Sequence, residues 1–299
     1  MFKFIKKAIK VSLPYGIVCL INQQKADKQA KHKRILKILS RDYSDIISNY
    51  KYRCDPPVEI QLPYPVWVCW WQGEAGMPEI VKICYSRLLA KANGHKVNLI
   101  TKDNFKDFVT LPDYILEKAD KGFISLTHLS DILRVELLSK YGGLWIDATV
   151  YTLRDLPAFD TDLFSVRRLR DCNGVSECRW TGYLLYAGGG TRLLFNFVKS
   201  IFFEYWKKNN KLLVYLFIDY CIALAHKNIP AITTLINDIP FSNPHIFWLR
   251  ENINCKYNEL SFSVLMDSGH FCKLTRKQEF KEVTEEGELT YYGYIKSIA

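Results

Sequence analysis

The chain has 299 residues, of which 48% are hydrophobic and 24% are charged, and its net charge is +10. This composition excludes a disordered chain and a collagen-like repeat, and the length suffices for a large hydrophobic core. Residues 1–53 hold thirteen basic and three acidic side chains and therefore carry the entire net charge, whereas residues 54–299 are neutral.

The basic N-terminal part is the first predicted element. Four lysines recur at the spacing of one helical face: Lys3, Lys6, Lys7 and Lys10. This pattern predicts an amphipathic helix that lies in an anionic membrane interface, because the lysines would face the lipid headgroups. A signal peptide and a basic helix on the domain's own surface are the alternatives. Nucleic acid is a less suitable partner, since a nucleic-acid enzyme usually carries its basic stripe on the catalytic body.

An apolar stripe predicts a helix over residues 26–50, and a proline-rich segment begins at Pro56. We therefore divide the chain into a basic helical part, residues 1–57, and a catalytic domain, residues 58–299. No segment is long and apolar enough to be predicted as a membrane span.

The cysteines indicate the compartment. They number nine, are widely spaced and form no CxxC pair. Several lie in apolar runs, where a cysteine behaves as a small hydrophobic residue. We expect a reducing compartment, hence the cytoplasm. A zinc site is not expected, because Cys172 and Cys178 have no second pair to complete one.

The catalytic domain is predicted to begin with a strand over residues 66–70, a helix from Pro78 to about Asn93 and a strand over 97–100. Because a strand–helix–strand unit favours parallel pairing, the expected fold class is α/β. Later helices are predicted over four ranges: 129–140, 193–208, 212–226 and 230–237. A strand over residues 144–147 follows the first of these helices.

The most informative stretch covers that helix and that strand. Asp131 and Arg134 lie three residues apart, so both side chains leave one face of the helix. Gly142 and Gly143 end the helix, and the strand ends at Asp147, at the edge where α/β sheets bind ligands. A carboxylate there could hold Mg²⁺ or Mn²⁺ against a diphosphate. Taken singly, Asp131 and Arg134 could equally form a surface ion pair, and Asp147 could be a strand-end cap. The combination of all three within one short stretch is a more specific indication of a ligand site.

The segment from Leu129 to Leu153, LSDILRVELLSKYGGLWIDATVYTL, resembles the donor-binding signature of DXD-type glycosyltransferases, in particular the capsular polysaccharide synthesis group. Residues 65–73 and 98–104 resemble the first two strands of that family. The resemblance covers most of residues 60–280. It implies a GT-A fold, with a mixed sheet, flanking helices and helical additions at both ends, and a transferase that retains the anomeric configuration.

The resemblance also implies roles for single residues. Asp131 and Arg134 match positions that contact the ribose and the sugar of the donor, and Asp147 matches a metal-binding carboxylate. The expected cofactor is therefore Mn²⁺ or Mg²⁺. Thr149 stands where the last carboxylate of the DXD motif usually lies, which implies weak metal binding or metal-independent donor binding. Three residues match the nucleotide cradle at the end of the first strand: Trp70, Trp71 and Gln72.

Further candidates lie outside the motif. Asp219 falls in an apolar helix, where a buried carboxylate is costly unless it is paired. It could orient the acceptor or the sugar, or pair with an arginine in the core. His270 and Lys273 could neutralise the diphosphate leaving group. Arg167 and Arg168 could meet a diphosphate or lie in a solvated turn.

These observations predict a nucleotide-sugar-dependent glycosyltransferase with Asp131, Arg134 and Asp219 as catalytic candidates. The acceptor would be a growing capsular or surface polysaccharide, or a lipid-linked oligosaccharide, at the inner face of the cell membrane. The alternative is a non-catalytic, membrane-associated partner of a glycan assembly complex, which the threonine at position 149 favours.

Overall fold

The structure is a computed structural model that describes residues 15–169 and 172–299, and for residues 15–25 it describes the backbone alone. The amphipathic helix predicted over residues 1–10, with its membrane contact, lies outside these ranges. Within the described ranges, no helix combines the length and the apolar character needed to cross a bilayer.

Helices and strands alternate along the described chain. The α-helices are α1 (Tyr15–Asp42), α2 (Ser44–Tyr50), α3 (Glu79–Ala90), α4 (Phe105–Phe108), α5 (Asp113–Asp120), α6 (Leu126–Tyr141), α7 (Arg192–Lys208), α8 (Phe217–Asn228), α9 (Pro230–Asn237), α10 (Trp248–Asn252), α11 (Glu259–Asp267) and α12 (Tyr291–Ser297). The strands are β1 (Val66–Cys69), β2 (Val97–Ile100), β3 (Gly143–Ile146), β4 (Val150–Thr152), β5 (Leu163–Ser165), β6 (Leu184–Ala187) and β7 (Phe271–Lys273).

The main sheet has five strands in the order β2-β1-β3-β6-β5. Strand β1 pairs in parallel with both β2 and β3, whereas β6 runs antiparallel to β3 and β5. The sheet is therefore mixed, and helices flank it, which confirms the expected fold class. Because β1 and β3 are parallel neighbours, their carboxyl ends open onto the same edge of the sheet.

The two faces of the sheet carry alternate side chains of each strand. Trp67 and Trp145 face the cluster that contains α6, α7 and α8, whereas Val66, Val68 and Leu144 face the opposite side, toward Leu88 of α3. These residues are all buried, as expected for strands that are covered on both faces. The sheet therefore fixes the direction in which each strand presents its last residues.

Helix α6 is the central helix of the fold. It is packed between the sheet and α7, and its buried residues run almost without interruption from His128 to Ser139. Polar side chains are included in this buried run, among them Asp131, Arg134 and Glu136. A buried charged side chain needs a partner, so the partners of these residues identify the site.

The helix predicted over residues 26–50 is present but interrupted at Tyr43, which separates α1 from α2. Ile35, Leu39 and Tyr43 are buried, and α1 and α2 pack against α8 and α7. The predicted helix over 212–226 begins only at residue 217. The preceding residues form a loop with exposed apolar side chains.

A second, two-stranded sheet joins distant parts of the chain. Strand β4 follows β3 after a short turn, and β7 pairs with it in an antiparallel register that places Val150 opposite Lys273. No local pattern in the sequence predicts this pairing. The pairing of β4 with β7 brings Asp147, which follows β3, and Lys273, which ends β7, to the same edge of the molecule.

Candidate functional site

An open cleft of about 1100 Å³ lies at the carboxyl ends of β1 and β3. The sequence-predicted residues that line it are Trp70, Trp71, Gln72, Asp131, Arg134, Asp147, Thr149, Asp219 and Lys273. They come from the ends of three strands and from two helices, α6 and α8. The fold therefore gathers into one cleft residues that are up to about 200 positions apart in the sequence.

Arg134 links two carboxylates in this cleft. Its Nη1 lies 3.2 Å from Oδ1 of Asp131, and its Nη2 donates to Oδ1 of Asp147 at 3.0 Å. The indole Nε1 of Trp145 donates to the same Asp147 oxygen at 3.0 Å, and the Arg134 guanidinium lies over the Trp145 ring. Because the guanidinium is almost fully buried and held by both acids, its orientation is fixed before any ligand arrives.

His128 supports Asp131 from behind. Its Nε2 accepts a hydrogen bond from Nε1 of Trp206 at 2.9 Å, so its Nδ1 carries the proton and faces Oδ2 of Asp131 at 3.3 Å. Asp131 is thus held by both a histidine and an arginine. Sequence analysis identified the acid but not the histidine, because only the packing of α6 against α7 brings Trp206 to His128.

Asp219 is buried at the start of α8, and its carboxylate faces the cleft. Burial raises its pKa to about 6, although Nε1 of Trp180 donates to Oδ1 at 2.8 Å and favours the charged form. The nearby charge of Asp131 raises the pKa further, and that of Arg134 lowers it. Within the part of the chain that the structure describes, Asp219 forms no ion pair, and its side-chain partner is Trp180.

Lys273 closes the opposite side of the Asp147 carboxylate. Its Nζ lies 3.7 Å from Oδ2 of Asp147 and donates to Oγ1 of Thr149, and it also lies over the Tyr183 ring. The two residues expected to bind a metal ion are therefore both contacted by an ammonium group. The described residues contain no cluster of three or more His, Cys, Asp or Glu side chains placed to share a metal ion. A divalent cation between the Asp147 carboxylate and the Thr149 hydroxyl would have to displace the Lys273 ammonium group.

Several basic residues that line the cleft were not singled out from the sequence, namely Arg250, Arg276 and Lys277. Arg168, a candidate from the sequence, also lines it, and both Arg168 and Arg250 lie over the ring of Phe247. No local signal marks Arg250, since it lies in a short helix whose position depends on distant contacts. Arg167, by contrast, bonds backbone carbonyls near the end of α9.

The structure does not bring His270 into the cleft. Its Nδ1 lies 3.1 Å from the backbone oxygen of Asp155, and partial burial lowers its pKa. Side chains alternate between the two faces of a strand. His270 lies three residues before Lys273, the last residue of β7, so the two side chains do not share a face. These two residues were expected to act together, and only Lys273 lines the cleft.

A loop over residues 172–178 borders the cleft, and Gly174, Val175 and Ser176 line it. A disulfide joins Cys172 to Cys178. This bond differs from the expectation that the cysteines are reduced. The other described cysteines lie apart from it, several of them buried in the core as expected. The backbone oxygen of Asn173 in the loop also contacts His32 of α1.

The chain was compared with solved structures, curated proteins and protein-family models. A solved structure described as PaToxG Glycosyltransferase is 12% identical, with a TM-score of 0.39 over 72% of this chain and 83% of that one. The apo structure of the WbbM bifunctional glycosyltransferase is 10% identical, with a TM-score of 0.39 over 81% of this chain and 49% of that one. No curated protein matches the sequence significantly. A family model described as capsular polysaccharide synthesis protein matches residues 16–295. The chain therefore belongs to the capsular polysaccharide synthesis family.

Proposed function

We propose that the protein is a glycosyltransferase that moves a sugar from a nucleoside diphosphate sugar to a growing capsular or surface glycan. The observation that carries this proposal is the convergence of Asp131, Arg134, Asp147, Asp219 and Lys273 in one cleft at the carboxyl ends of β1 and β3. A cleft with fixed cations and buried carboxylates can bind an anionic donor and orient sugar hydroxyl groups at the same time. Membership of a capsular polysaccharide synthesis family supports the same class of reaction.

The donor would lie across the ends of β1 and β3. Trp70 and Trp71 follow β1 and offer aromatic surface for a nucleobase, and Gln72 offers an amide for its polar edge. Asp131 and Arg134, which are held in place by each other, would contact the ribose and the sugar. These assignments follow the family resemblance and agree with the positions of the residues in the cleft.

In the reaction, the bond between the anomeric carbon and the diphosphate oxygen breaks, and its electron pair leaves with the phosphate. The acceptor hydroxyl oxygen bonds to the anomeric carbon, and its proton passes to the departing phosphate oxygen. Basic side chains near that oxygen stabilise the charge that develops on it. We propose that this transfer retains the anomeric configuration, since the phosphate and the acceptor then share one face of the sugar. Asp219 would orient the acceptor hydroxyl.

The acceptor is proposed to be lipid-linked. Exposed apolar side chains lie at the rim of the cleft, namely Leu126, Tyr215 and Leu216. Exposed basic residues of α1 lie on a helix that packs against α8, which begins directly after Leu216. An apolar rim near a basic helix suits an anionic lipid surface. We propose that the protein acts at the inner face of the cell membrane, as the family resemblance implies.

The test of this function is thermal unfolding of the purified protein with a panel of nucleotide sugars, followed by nucleotide release with the stabilising donor. A donor at 100 times its Kd stabilises the folded state by about 2.7 kcal/mol. We expect one donor to stabilise the protein and to release its nucleoside diphosphate when a lipid-linked glycan is added. The anomeric configuration of the product, read by NMR, tests retention.

Matched variants show whether the cleft is responsible. Asp147→Asn removes the charge that holds Arg134 and Lys273, whereas Asp160→Asn removes an exposed charge that does not line the cleft. We expect only the first to abolish release. A donor that binds but never releases its nucleotide would support the non-catalytic partner instead. The absence of any stabilising donor would contradict the proposed enzyme.

A further inference from the structure

We infer that the ammonium group of Lys273, rather than a divalent cation, binds the diphosphate of the donor, and that donor binding needs no metal ion. This inference rests on the proposed function, because it names the group that holds the donor of that reaction. It differs from the expectation of a metal-dependent DXD site.

Both sides of Lys273 are held by the backbone. Its N–H donates to the oxygen of Ile246 at 2.6 Å, and the N–H of Leu274 donates to the oxygen of Thr149 at 2.8 Å. The side chain is 17% exposed, so it is mostly enclosed yet open to the cleft. The ammonium group has three donors, of which one goes to Oγ1 of Thr149. A free donor therefore remains for an oxygen of the diphosphate.

The Asp147 carboxylate has little capacity left for a metal ion. Its Oδ1 accepts from both Arg134 and Trp145, and its Oδ2 faces Lys273. A divalent cation at Oδ2 would have to displace an ammonium group and then lie beside a buried guanidinium. Mg²⁺ is usually held by one or two carboxylates together with substrate phosphates and water. Here it would depend on one carboxylate, and both oxygens of that carboxylate already face donor groups.

The charges that line the cleft suit a diphosphate without a metal ion. Among the residues that the structure describes, six basic residues line it, namely Arg134, Arg168, Arg250, Lys273, Arg276 and Lys277, and three acidic residues do, namely Asp131, Asp147 and Asp219. This excess of positive charge can neutralise the doubly charged diphosphate of a nucleotide sugar. The Nε atoms of Arg134 and Arg168 have no hydrogen-bond partner among the described residues, but both atoms are buried and do not face the cleft.

The first test uses the unaltered full chain. Isothermal titration calorimetry with the diphosphates of uridine, guanosine, adenosine, cytidine and thymidine is carried out in Mn²⁺, in Mg²⁺ and in excess EDTA. We expect one nucleoside diphosphate to bind, with a Kd in EDTA within about threefold of that in Mn²⁺. Binding that requires a metal ion overturns this inference and leaves the proposed function standing. If no nucleoside diphosphate binds in any buffer, both fail.

Variants identify the residue. Lys273→Ala should weaken binding of the same nucleoside diphosphate in EDTA by about 10- to 100-fold, the effect of losing a charge-assisted hydrogen bond. Lys273→Arg should retain most of the affinity. The matched control is Lys256→Ala, which removes an exposed lysine that pairs with Glu288 away from the cleft and should leave the Kd unchanged. Equal affinity of Lys273→Ala and the unaltered protein overturns the inference.

A double variant tests the exchange of one cation for another. Thr149→Asp combined with Lys273→Ala removes the ammonium group and supplies the second carboxylate. If Lys273 binds the diphosphate in place of a metal ion, this variant should bind the nucleoside diphosphate in Mn²⁺ but not in EDTA. Metal-independent binding by the double variant would contradict the inference. Should Lys273→Ala fail to fold, Lys273→Gln takes its place in the same titration, and equal affinity of Lys273→Gln and the unaltered protein in EDTA overturns the inference.

Discussion

Asp219 shows how burial tunes one side chain of the cleft. Its native-state pKa is about 6, well above the usual range of an aspartate, because burial disfavours the charged form. The unfolded chain releases this proton near pH 4, as an unperturbed aspartate does. Between these values the folded state binds more protons than the unfolded state, so the free energy of unfolding falls as the pH rises.

The corresponding prediction concerns Asp219→Asn. The amide oxygen can still accept from Trp180, but the side chain no longer ionises. Relative to this variant, the unaltered protein should lose up to about 3 kcal/mol of unfolding free energy between pH 4 and pH 7. Urea unfolding at a series of pH values measures this. Asp160→Asn is the control, and parallel pH profiles for Asp219→Asn and the unaltered protein would contradict the prediction.

Gly143 gives a second residue-scale prediction, because its lack of a side chain lets α6 connect to β3. Its φ is +86°, and an added Cβ would lie 2.2 Å from the backbone oxygen of Pro65. Gly94 has a similar φ of +81° but nothing within 4 Å of an added Cβ. Gly143→Ala should cost about 2–5 kcal/mol of unfolding free energy, and Gly94→Ala about 1–2 kcal/mol.

A comparison of Gly143→Ala with Gly94→Ala separates the effect of a steric conflict from that of backbone strain. Both variants carry a positive φ, so the difference between their unfolding free energies reports the contact with Pro65. Chemical denaturation with circular dichroism provides both values. Equal costs at the two positions would show that the strands near Pro65 give way to the added methyl group.

Spacing along the chain predicts a shared face only for residues that lie close together. Asp131 and Arg134 can be placed on one face of α6 because they are three residues apart, whereas the grouping of Asp147, Asp219 and Lys273 with them follows from the family resemblance. Arg250 could not be assigned to the cleft from the sequence, because spacing along one helix says nothing about how distant elements pack together. His270 illustrates a related limit, since a difference of three residues along β7 decides which side chain reaches the cleft.

At the scale of elements, α6 carries two of the site residues, and its N-terminus is stabilised by a cap. Ser125 accepts a hydrogen bond from the N–H of His128, in the same turn that leads to Asp131. Asn258 caps α11 in the same way, at a helix whose residues do not line the cleft. Removing either cap should cost about 1 kcal/mol of unfolding free energy.

The two caps should differ in their effect on function. Ser125→Ala loosens the turn that presents His128 and Asp131, so we expect it to lower donor affinity as well as stability. Asn258→Ala should lower stability alone. Thermal unfolding with and without the stabilising nucleotide sugar distinguishes the two variants. An equal shift on adding the donor to both would show that the cap has no part in the site.

The longer elements of the main sheet and of the large helices could be predicted because burial on both faces leaves a continuous apolar run. The strands β4 and β7 could not, since each has three residues and their pairing spans more than 100 positions. The apolar stripe continues through Tyr43, so it does not predict the split between α1 and α2. The two helices pack against different neighbours, α8 and α7.

At the scale of the whole molecule, the concentration of the net positive charge in residues 1–53 predicts attachment to anionic lipid. Helix α1 carries exposed basic side chains and packs on α8 near the apolar rim of the cleft. Three lysines of α1 are changed to glutamine together: Lys28, Lys31 and Lys33. Since each lysine near an anionic leaflet contributes about 1 kcal/mol, binding should weaken by about 100-fold.

Sedimentation with vesicles of phosphatidylcholine, with and without phosphatidylglycerol, measures this binding. The control changes three exposed lysines of the catalytic domain: Lys102, Lys106 and Lys121. It should leave binding to the anionic vesicles intact. Equal losses for both sets would indicate a general effect of net charge. Binding to neutral vesicles alone would contradict an electrostatic attachment.

The pairing of β4 with β7 has a consequence for how the protein is made. Val150 and Lys273 meet across more than 100 residues of chain, and closing such a loop costs about 2 kcal/mol more than closing a ten-residue loop. The parallel strands and α6 can form while the ribosome is still adding residues, but the cleft lacks its lysine until the last part of the chain emerges. Under the proposed function, we therefore expect that a growing chain does not consume donor and that a chain cut short before residue 273 is inactive.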